Sequence, residues 1–349
     1  MLRVIDFMKI LSIETSCDET AAAITQGRRV LSSSIYSQIL IHKRWGGVVP
    51  SLAKRAHLER IDGVIDSALK GAGVVWDDIE AIAVTVGPGL AIALEVGVEK
   101  AKDLAKKYNK KLIAINHMEG HIMANYAQNS AGNPSREMIF PVLALLVSGG
   151  HTELVLCRDN LEYEVLGETV DDAVGEALDK AGKMLGLGYP GGPVIERLAR
   201  EAGNIDTYQF TRPLMRDPGY KFSYSGLKTA LYYKLKEMSE KEKKDNLREL
   251  ASSFQEAAFH VLIVKTERAI KSTGVKRLLV GGGVSANSYL RTKLRALGKK
   301  HEVEVLFPPQ KYLCTDNAAM IGVAAASRYE RGEFVEDLVA LERVPRLRL

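Results

Sequence analysis

Two histidines of this sequence, His117 and His121, have the spacing that a helix uses to present two ligands to one metal ion. At about 3.6 residues per turn, positions i and i+4 lie on one face of a helix, about 5–6 Å apart at Cβ. Neutral imidazole is the commonest metal ligand among side chains. Such pairs also occur by chance on surface helices, so the spacing predicts a metal site only if a third ligand joins the pair.

Glycine-rich turns are the second feature that could do chemistry. They lie at the ends of predicted strands or helices, at residues 87–89, 149–150, 191–192 and 281–283. Such a turn lets the backbone approach a phosphate or a nucleoside, with a helix N-terminus facing the anion. None has the spacing of a dinucleotide-binding or P-loop motif, and a tight structural turn is the alternative. Together they favour a nucleotide lying across a cleft.

The elements that must position these residues form two similar segments. Residues 10–24 and 142–156 each contain an apolar strand, a small polar turn and a second strand, which is typical of a β-hairpin. Two such hairpins, each followed by helices and further strands, indicate a duplicated α/β unit. The other predicted strands are 78–86, 111–115, 277–280 and 303–306, and the predicted helices are 90–108, 170–186, one starting at 194, 247–272, 288–297 and 316–329.

Length and composition indicate an ordinary globular protein. The 349 residues, 46% hydrophobic and 26% charged, exceed what one core usually serves, so two domains are expected. No run of about 18 apolar residues predicts a membrane span, and residues 1–7 lack signal-peptide features, so they are interpreted as an extension or a misassigned start. Three widely spaced cysteines indicate no disulfide framework and favour a cytoplasmic location. The net charge of +5 permits a nucleic-acid partner without requiring one.

A series of motifs, in a fixed order, identifies a family. From about residue 9 to about residue 332 the chain resembles the TsaD family of tRNA threonylcarbamoyladenosine transferases. The motifs that carry the resemblance are ETSCDET (14–20), GPGL (87–90), HMEGH (117–121), LVSGGHT (146–152), DDA (171–173), DK (179–180), GYPGGP (188–193), FSYSGLKT (222–229), GGGVSAN (281–287) and CTDN (314–317).

The resemblance implies a fold and a domain organisation. The expected fold is α/β, of the duplicated actin/hexokinase-like (ASKHA) type, with two lobes and a nucleotide-binding cleft between them. Residues 1–8 are assigned to a leader or extension, residues 9–140 to the N-terminal lobe and residues 141–349 to the C-terminal lobe. The C-terminal segment is a candidate to complete the N-terminal lobe.

The resemblance also implies site residues. The metal ligands of the family fall on His117, His121 and Asp316, a two-histidine, one-carboxylate set that suits Fe(II), which is favoured, or Zn(II). The residues implied to bind the nucleotide or its nucleoside are Leu146, Val147, Ser148, Gly149, Gly150, Asp179, Gly192, Glu196 and Asn287. No residue is assigned as a general acid or base.

The implied reaction is transfer of a threonylcarbamoyl group from threonylcarbamoyl-adenylate to N6 of adenosine 37, in tRNAs that read codons beginning with A. The implied partners are tRNA, the adenylate, a paralogous TsaB-type dimer partner and a TsaE-type ATPase, with no membrane. Mitochondrial-type relatives act without that complex.

For several residues the sequence leaves a structural alternative open. Asp316 and Asn287 are both placed where they could cap a predicted helix, because a short polar side chain at that position accepts a hydrogen bond from the first turn. Asp179 could be an exposed acid on a helix surface. Cys17 and Cys314 are interpreted as packing residues, since nothing in the sequence activates either thiol.

Three other functions are alternatives for a sequence with this pattern. A metalloprotease of the His-Glu-x-x-His type is not favoured, because Glu119 lies at i+2 from His117 and should point away from a metal. A small-molecule kinase of the same fold is the alternative, although such kinases generally carry Asp-x-Gly where this chain has Glu14-Thr15-Ser16. A non-enzymatic nucleotide-binding scaffold is the third.

Overall fold

The chain forms two compact units. The computed structural model of the protein describes residues 8–349, so the extension predicted at residues 1–7 lies outside the described part. The first unit contains the described residues up to Ile139 together with Pro308–Leu349, and the second contains Phe140–Phe307. The C-terminal segment therefore belongs to the first unit. Met8, which the sequence placed in the leader, is buried beside the first strand.

The secondary structure of residues 8–349 alternates strands and helices in both units. The strands are β1 Lys9–Glu14, β2 Glu19–Gln26, β3 Arg29–Ser37, β4 Ala81–Gly87, β5 Lys111–Asn116, β6 Val142–Val147, β7 Thr152–Asp159, β8 Glu162–Glu168, β9 Arg277–Gly281 and β10 Glu304–Leu306. The α-helices are α1 Ile39–His42, α2 Pro50–Ala72, α3 Ala91–Tyr108, α4 His117–Met123, α5 Val174–Met184, α6 Gly192–Glu201, α7 Ser225–Glu237, α8 Glu240–Asp245, α9 Leu247–Thr273, α10 Ser288–His301 and α11 Ala318–Glu330.

The sheet of the first unit has the strand order β3-β2-β1-β4-β5. The first predicted hairpin is confirmed: β1 and β2 pair antiparallel, from Lys9 opposite Gln26 to Glu14 opposite Ala21. The pairs β1–β4 and β4–β5 are parallel. A crossover helix, which parallel pairing requires, precedes β4 and another precedes β5, namely α2 and α3.

Alternation along β1 shows why helices cover both faces of this sheet. Leu11 and Ile13 pack into a core that includes the apolar sides of α2 and α3. The intervening Ser12 points to the opposite face, where its hydroxyl donates to the carbonyl of Ala318 in α11 at 2.6 Å. Because both faces are covered, β1 and β4 are almost wholly buried.

The sheet of the second unit repeats this plan with the order β10-β9-β6-β7-β8. The second predicted hairpin is confirmed, since β6 and β7 pair antiparallel from Val142 to Val147. β6 pairs parallel with β9, and β9 pairs parallel with β10. Each unit thus has two antiparallel pairings on one side of its first strand and two parallel pairings on the other. This repetition confirms the predicted duplication.

Three predicted helix starts differ from the structure by two residues or more. The helix expected at 170–186 begins only at Val174, because the backbone N–H of Val170 donates to the carbonyl of Phe222 and holds residues 169–172 outside the helix. The helix expected at 194 begins at Gly192. The helix expected at 316 begins at Ala318, which changes the position of Asp316. No helix within residues 8–349 combines the length and apolar character needed to cross a bilayer.

Candidate metal centre and nucleotide-binding turns

The histidine pair lies on the short helix α4, directly after β5. The side chain of Asn116, the last residue of β5, accepts the backbone N–H of Met118 at 2.8 Å and caps the helix. The cap fixes the point at which the strand turns into the helix, so both imidazoles lie on the predicted shared face. The ring centroids of His117 and His121 are 4.7 Å apart, at an interplanar angle of 81°.

Asp316 faces this pair from the segment that precedes α11. Its Oδ1 lies 3.4 Å from Nε2 of His117 and 3.3 Å from Nε2 of His121. The capping role considered for Asp316 falls instead to Asn317, whose Oδ1 accepts the N–H of Met320 at 2.9 Å. The carboxylate of Asp316 is therefore not used as a helix cap. One possible ligand atom from each of the three residues lies within 4.8 Å of the others.

Close packing and a buried ion pair hold α4 against α11. A Cβ added to Gly120 would lie 2.9 Å from Cδ1 of Ile321, so the missing side chain lets the helices approach. Glu119 is fully buried, and its two oxygens accept hydrogen bonds from Nε and Nη2 of Arg328 in α11 at 3.1 and 2.6 Å. The prediction that Glu119 turns away from the histidines is confirmed. Because both oxygens of Glu119 bind Arg328, this carboxylate is not placed to act as the general base of a metalloprotease, which counts against that alternative.

The electrostatics of the three residues favour a bound cation. Burial alone would lower the pKa of His117, but Asp316 and Glu14 outweigh it and raise that pKa well above its usual range. Burial would raise the pKa of Asp316, yet the two histidines bring it well below normal. Burial lowers the pKa of His121, and the neighbouring His117 adds to this effect. One imidazole is thus held as a cation between two carboxylates, where a divalent ion would place its charge.

His121 supplies a direct test of whether these residues fit a metal. Both of its ring nitrogens are buried without a well-formed hydrogen bond to any described residue, despite the proximity of Asp316. A buried, unsatisfied polar atom is costly, and native proteins rarely retain one without a ligand, an ion or a water. An ion bound at Nε2 would satisfy this atom. Two imidazoles and one carboxylate are a donor set that Fe(II) and Zn(II) both accept.

Sequence reasoning missed a fourth residue of this centre, Glu14. It ends β1 fully buried, and its Oε2 lies 3.0 Å from Nδ1 of His117. The ETSCDET motif contains it, but only as part of the resemblance. The available signal was a carboxylate at the end of a buried strand, since buried acids are rarely found without a partner.

Of the two cysteines near this region, Cys17 has a thiol that is not activated. Burial, with added repulsion from Asp18 and Asp316, raises the pKa of Cys17 well above its usual range. Cys314 is buried, and its Sγ donates to the carbonyl oxygen of Gln310 at 4.0 Å. A thiol with a raised pKa is a poor nucleophile, so the structure offers no nucleophilic role for Cys17, which was predicted to pack.

In the second unit, the predicted nucleotide-binding residues 146–150 span the end of β6 and the start of the turn between β6 and β7. Leu146 and Val147 are fully buried inside β6, so their side chains cannot contact a ligand. The backbone N–H of Ser148 is also unavailable to a ligand, because it donates to the carbonyl of His151 at 2.8 Å. Gly149 and Gly150 are exposed, with open space where a side chain would project. The part of this turn that can meet a ligand is therefore the backbone of the two glycines.

A second glycine turn lies against the same strand end. Gly282 has φ +87°, and a Cβ there would lie 2.4 Å from the carbonyl oxygen of Val147. Only glycine permits both that conformation and that approach. The turn after β9 and the turn after β6 are consequently neighbours, as the parallel pairing of these strands requires.

The side chains predicted to bind the nucleoside already make internal hydrogen bonds. Oδ1 of Asp179 accepts the backbone N–H groups of Gly191 and Gly192 at 2.8 and 3.1 Å. Oε1 of Glu196 accepts the backbone N–H and the hydroxyl of Ser288.

Asn287 caps α10, as the structural alternative proposed, with Oδ1 3.0 Å from the N–H of Leu290, and its amide donates to Gln255. Asp179 and Glu196 therefore tie the starts of α6 and α10 to neighbouring helices. The exposed-acid alternative for Asp179 is wrong.

Comparison with solved structures supports the fold. HypF from T. kodakarensis matches with a TM-score of 0.63 at 12% identity, over 96% of this chain and 50% of that chain. Component A of the (R)-2-hydroxyglutaryl-CoA dehydratase of Acidaminococcus fermentans matches with a TM-score of 0.52 at 13% identity, over 93% and 99%. At such identities the likeness shows the fold alone, and that fold is the expected actin/hexokinase-like one.

Comparison with protein families and curated relatives shows the family. The model for TsaD, tRNA N6-adenosine threonylcarbamoyltransferase, matches residues 29–323. A protein of this name from Thermosipho africanus is 46% identical over 344 residues, which are 98% of this chain and 100% of the relative. Another, from Staphylococcus aureus strain Newman, is 48% identical over 94% of this chain and 93% of its own length. With these matches over nearly its whole length, the chain belongs to the TsaD family of tRNA N6-adenosine threonylcarbamoyltransferases.

Proposed function

We propose that this transferase moves the threonylcarbamoyl group of threonylcarbamoyl-adenylate onto N6 of adenosine 37, in tRNAs that read codons beginning with A, and that a metal assists. The observation that carries the proposal is the convergence of His117, His121 and Asp316 in a member of this family. Position 37, the codon set and the adenylate come from the resemblance of the motifs.

In the proposed centre, the three side chains hold one divalent ion, Fe(II) by preference and Zn(II) as the other candidate. The ion would act as a Lewis acid that orients and polarises the acyl-adenylate. The Glu119–Arg328 pair keeps the helix of the two histidines fixed against the helix that follows Asp316. Precise ligand placement matters because misplacement of about 1 Å can lower a rate a hundredfold.

The turns of the second unit are proposed to bind the adenylate. The exposed Gly149 and Gly150 would direct backbone N–H groups at its phosphate, as anion-binding turns do. Asp179, Gly192, Glu196 and Asn287 would hold the adenosine. A carboxylate offers about four lone-pair sites, and both hydrogen bonds from Ser288 to Glu196 are on Oε1, so Glu196 could also accept a ribose hydroxyl.

The transfer itself breaks one bond and forms another. The exocyclic amine of adenosine attacks the carbamoyl carbon, and a new C–N bond forms at N6. The C–O bond to the phosphate breaks, AMP leaves with the electron pair, and N6 loses a proton. Negative charge develops on the carbamoyl oxygen and on the departing phosphate, where fixed N–H donors and cations stabilise the transition state.

The proposed partners are tRNA, a paralogous TsaB-type subunit and a TsaE-type ATPase, in the cytoplasm. The family name supports tRNA as the substrate. The two protein partners rest on the resemblance alone. Assays of the chain by itself and with each partner added would show which partners transfer requires.

A transfer assay tests the proposal. The chain, threonylcarbamoyl-adenylate and tRNA are incubated, and the modified nucleoside is mapped by mass spectrometry of anticodon-loop fragments. We expect modification at adenosine 37 only in tRNAs for codons beginning with A. We also expect His117→Ala to lose the metal and the activity, whereas His260→Ala, in a partly exposed residue of α9, retains both. Full transfer by metal-free His117→Ala would refute metal assistance.

A further inference from the structure

Both oxygens of the buried Glu14 carboxylate have hydrogen-bond partners. Oε1 accepts the backbone N–H of Ser16, and Oε2 accepts the hydroxyl of Thr85 at 2.6 Å. The remaining partner of Oε2 is Nδ1 of His117, at 3.0 Å. Two of these three partners, Ser16 and Thr85, belong to the sheet of the first unit or to its turn. Their hydrogen bonds hold the carboxylate in position independently of His117.

His117 lies between two carboxylates that face different ring nitrogens. Nδ1 faces Glu14, with the hydroxyl of Ser16 also 3.2 Å away, and Nε2 faces Asp316 at 3.4 Å. In a neutral imidazole only one nitrogen carries a proton, and the nitrogen that donates a hydrogen bond determines which. With Nδ1–H donating to Glu14, the lone pair of Nε2 is directed towards His121 and Asp316.

The two histidines of the centre differ in this respect. Nδ1 of His121 has no hydrogen-bond partner among residues 8–349. His117 is thus the imidazole whose ring orientation and protonation are both set by a neighbour. A carboxylate in that position also makes the imidazole more basic, which strengthens its bond to a metal.

We propose that Glu14 is a positioning residue of the metal centre, which holds His117 with the proton on Nδ1 and Nε2 ready to bind the ion. This inference rests on the proposed metal occupancy of the three-residue centre. Charge balance agrees with it, because the anions Glu14 and Asp316 together offset the two positive charges of a divalent ion. Loss of either anion would leave an uncompensated charge in a buried site.

Zinc titration of variants tests the role of Glu14. The metal-stripped protein is titrated with Zn²⁺ against a competing chelator, and folding is checked by circular dichroism. We expect Glu14→Gln and Glu14→Ala to weaken zinc binding about 10- to 100-fold, the range typical for outer-shell partners. Thr20→Val is the matched control, since it removes a buried hydrogen bond of 2.8 Å to a different histidine, His57. Its zinc affinity should equal that of the wild type.

The outcomes separate this inference from the proposed centre. If His117→Ala also binds zinc normally, the centre itself is wrong. If His117→Ala loses zinc while folded Glu14→Gln keeps wild-type affinity, only the role of Glu14 is refuted.

A measurement on the unaltered protein guards against misfolded variants. ¹⁵N NMR of the zinc-loaded protein should show a proton on Nδ1 of His117 and the metal on Nε2. A proton on Nε2, or zinc on Nδ1, would overturn the proposal.

Discussion

Replacement of Arg328 by methionine is expected to destabilise the first unit strongly. Methionine keeps much of the aliphatic bulk but removes the guanidinium that binds both oxygens of Glu119. The buried carboxylate would then lack a cation, on the helix that carries the metal ligands. Because α11 follows Asp316, the loss should also loosen the spacing between that carboxylate and the histidines.

The magnitude follows from burial. Glu119 is 0% exposed and Arg328 is 26% exposed at their side chains. Removing one partner of a buried pair costs about 3–5 kcal/mol, and the partial exposure of the arginine argues for about 3 kcal/mol. The other arm of Arg328 binds Glu333, which is 39% exposed, so Glu333→Gln should cost less than about 1 kcal/mol.

The pH dependence has a defined sign. Burial raises the pKa of Glu119 above its usual value even with Arg328 present. The folded state therefore binds this proton more tightly than the unfolded state, so stability falls as pH rises from the unfolded pKa through the folded pKa. Without the arginine the folded pKa rises further, and the penalty of Arg328→Met should shrink in acid.

Urea denaturation of the single and double variants measures this effect. Glu119→Gln should recover part of the loss in the Arg328→Met background, because it replaces the unpaired charge with a neutral amide. A cost below about 1 kcal/mol for Arg328→Met, or a double variant as unstable as the sum of the two singles, would refute the role of this pair.

Three further predictions concern protonation and backbone geometry. Since Asp316 and Glu14 outweigh burial and raise the pKa of His117, zinc must displace a proton. Its affinity, measured by titration between about pH 6 and 8, should rise about tenfold per pH unit, with proton release, and a flat profile would contradict this. Gly282→Ala should cost at least about 2 kcal/mol of unfolding free energy, from its φ of +87° and the approach to Val147. Gly274→Ala, with φ +68° and open space, should cost about 1 kcal/mol, and equal losses would exclude the steric argument. Partial burial and the neighbouring Asp18 raise the pKa of Cys17, so iodoacetamide should label it at least about tenfold more slowly in the native than in the denatured protein at pH 8, and equal rates would contradict the raised pKa.

Local spacing predicted the parts of the centre that depend on one element. His117 and His121 share a face because the helix period requires it, and the two hairpins follow from apolar strands on either side of small polar turns. Asp316 was identified only through the resemblance. Asp316 does not cap the helix because Asn317 does, and the two-residue difference between the predicted start at 316 and the observed start at Ala318 lies within the uncertainty of sequence patterns.

Contacts between distant segments were not predictable in the same way. Glu14 meets His117 across 103 positions, and Glu119 meets Arg328 across 209. No periodicity links residues so far apart, because tertiary packing alone determines which partners meet. Asp179 shows the converse, since a helical acid that looked solvent-exposed in sequence accepts two backbone N–H groups.

The most direct test of the central claim is X-ray absorption spectroscopy at the zinc edge of the reconstituted protein. We predict one zinc per chain, with nitrogen and oxygen neighbours at about 2.0–2.1 Å and outer-shell scattering from two imidazoles. His121→Ala and Asp316→Ala should both lower zinc occupancy, and the zinc that remains should show one imidazole in His121→Ala and two in Asp316→Ala. Sulfur neighbours at about 2.3 Å, or no imidazole scattering, would contradict a centre built from His117, His121 and Asp316.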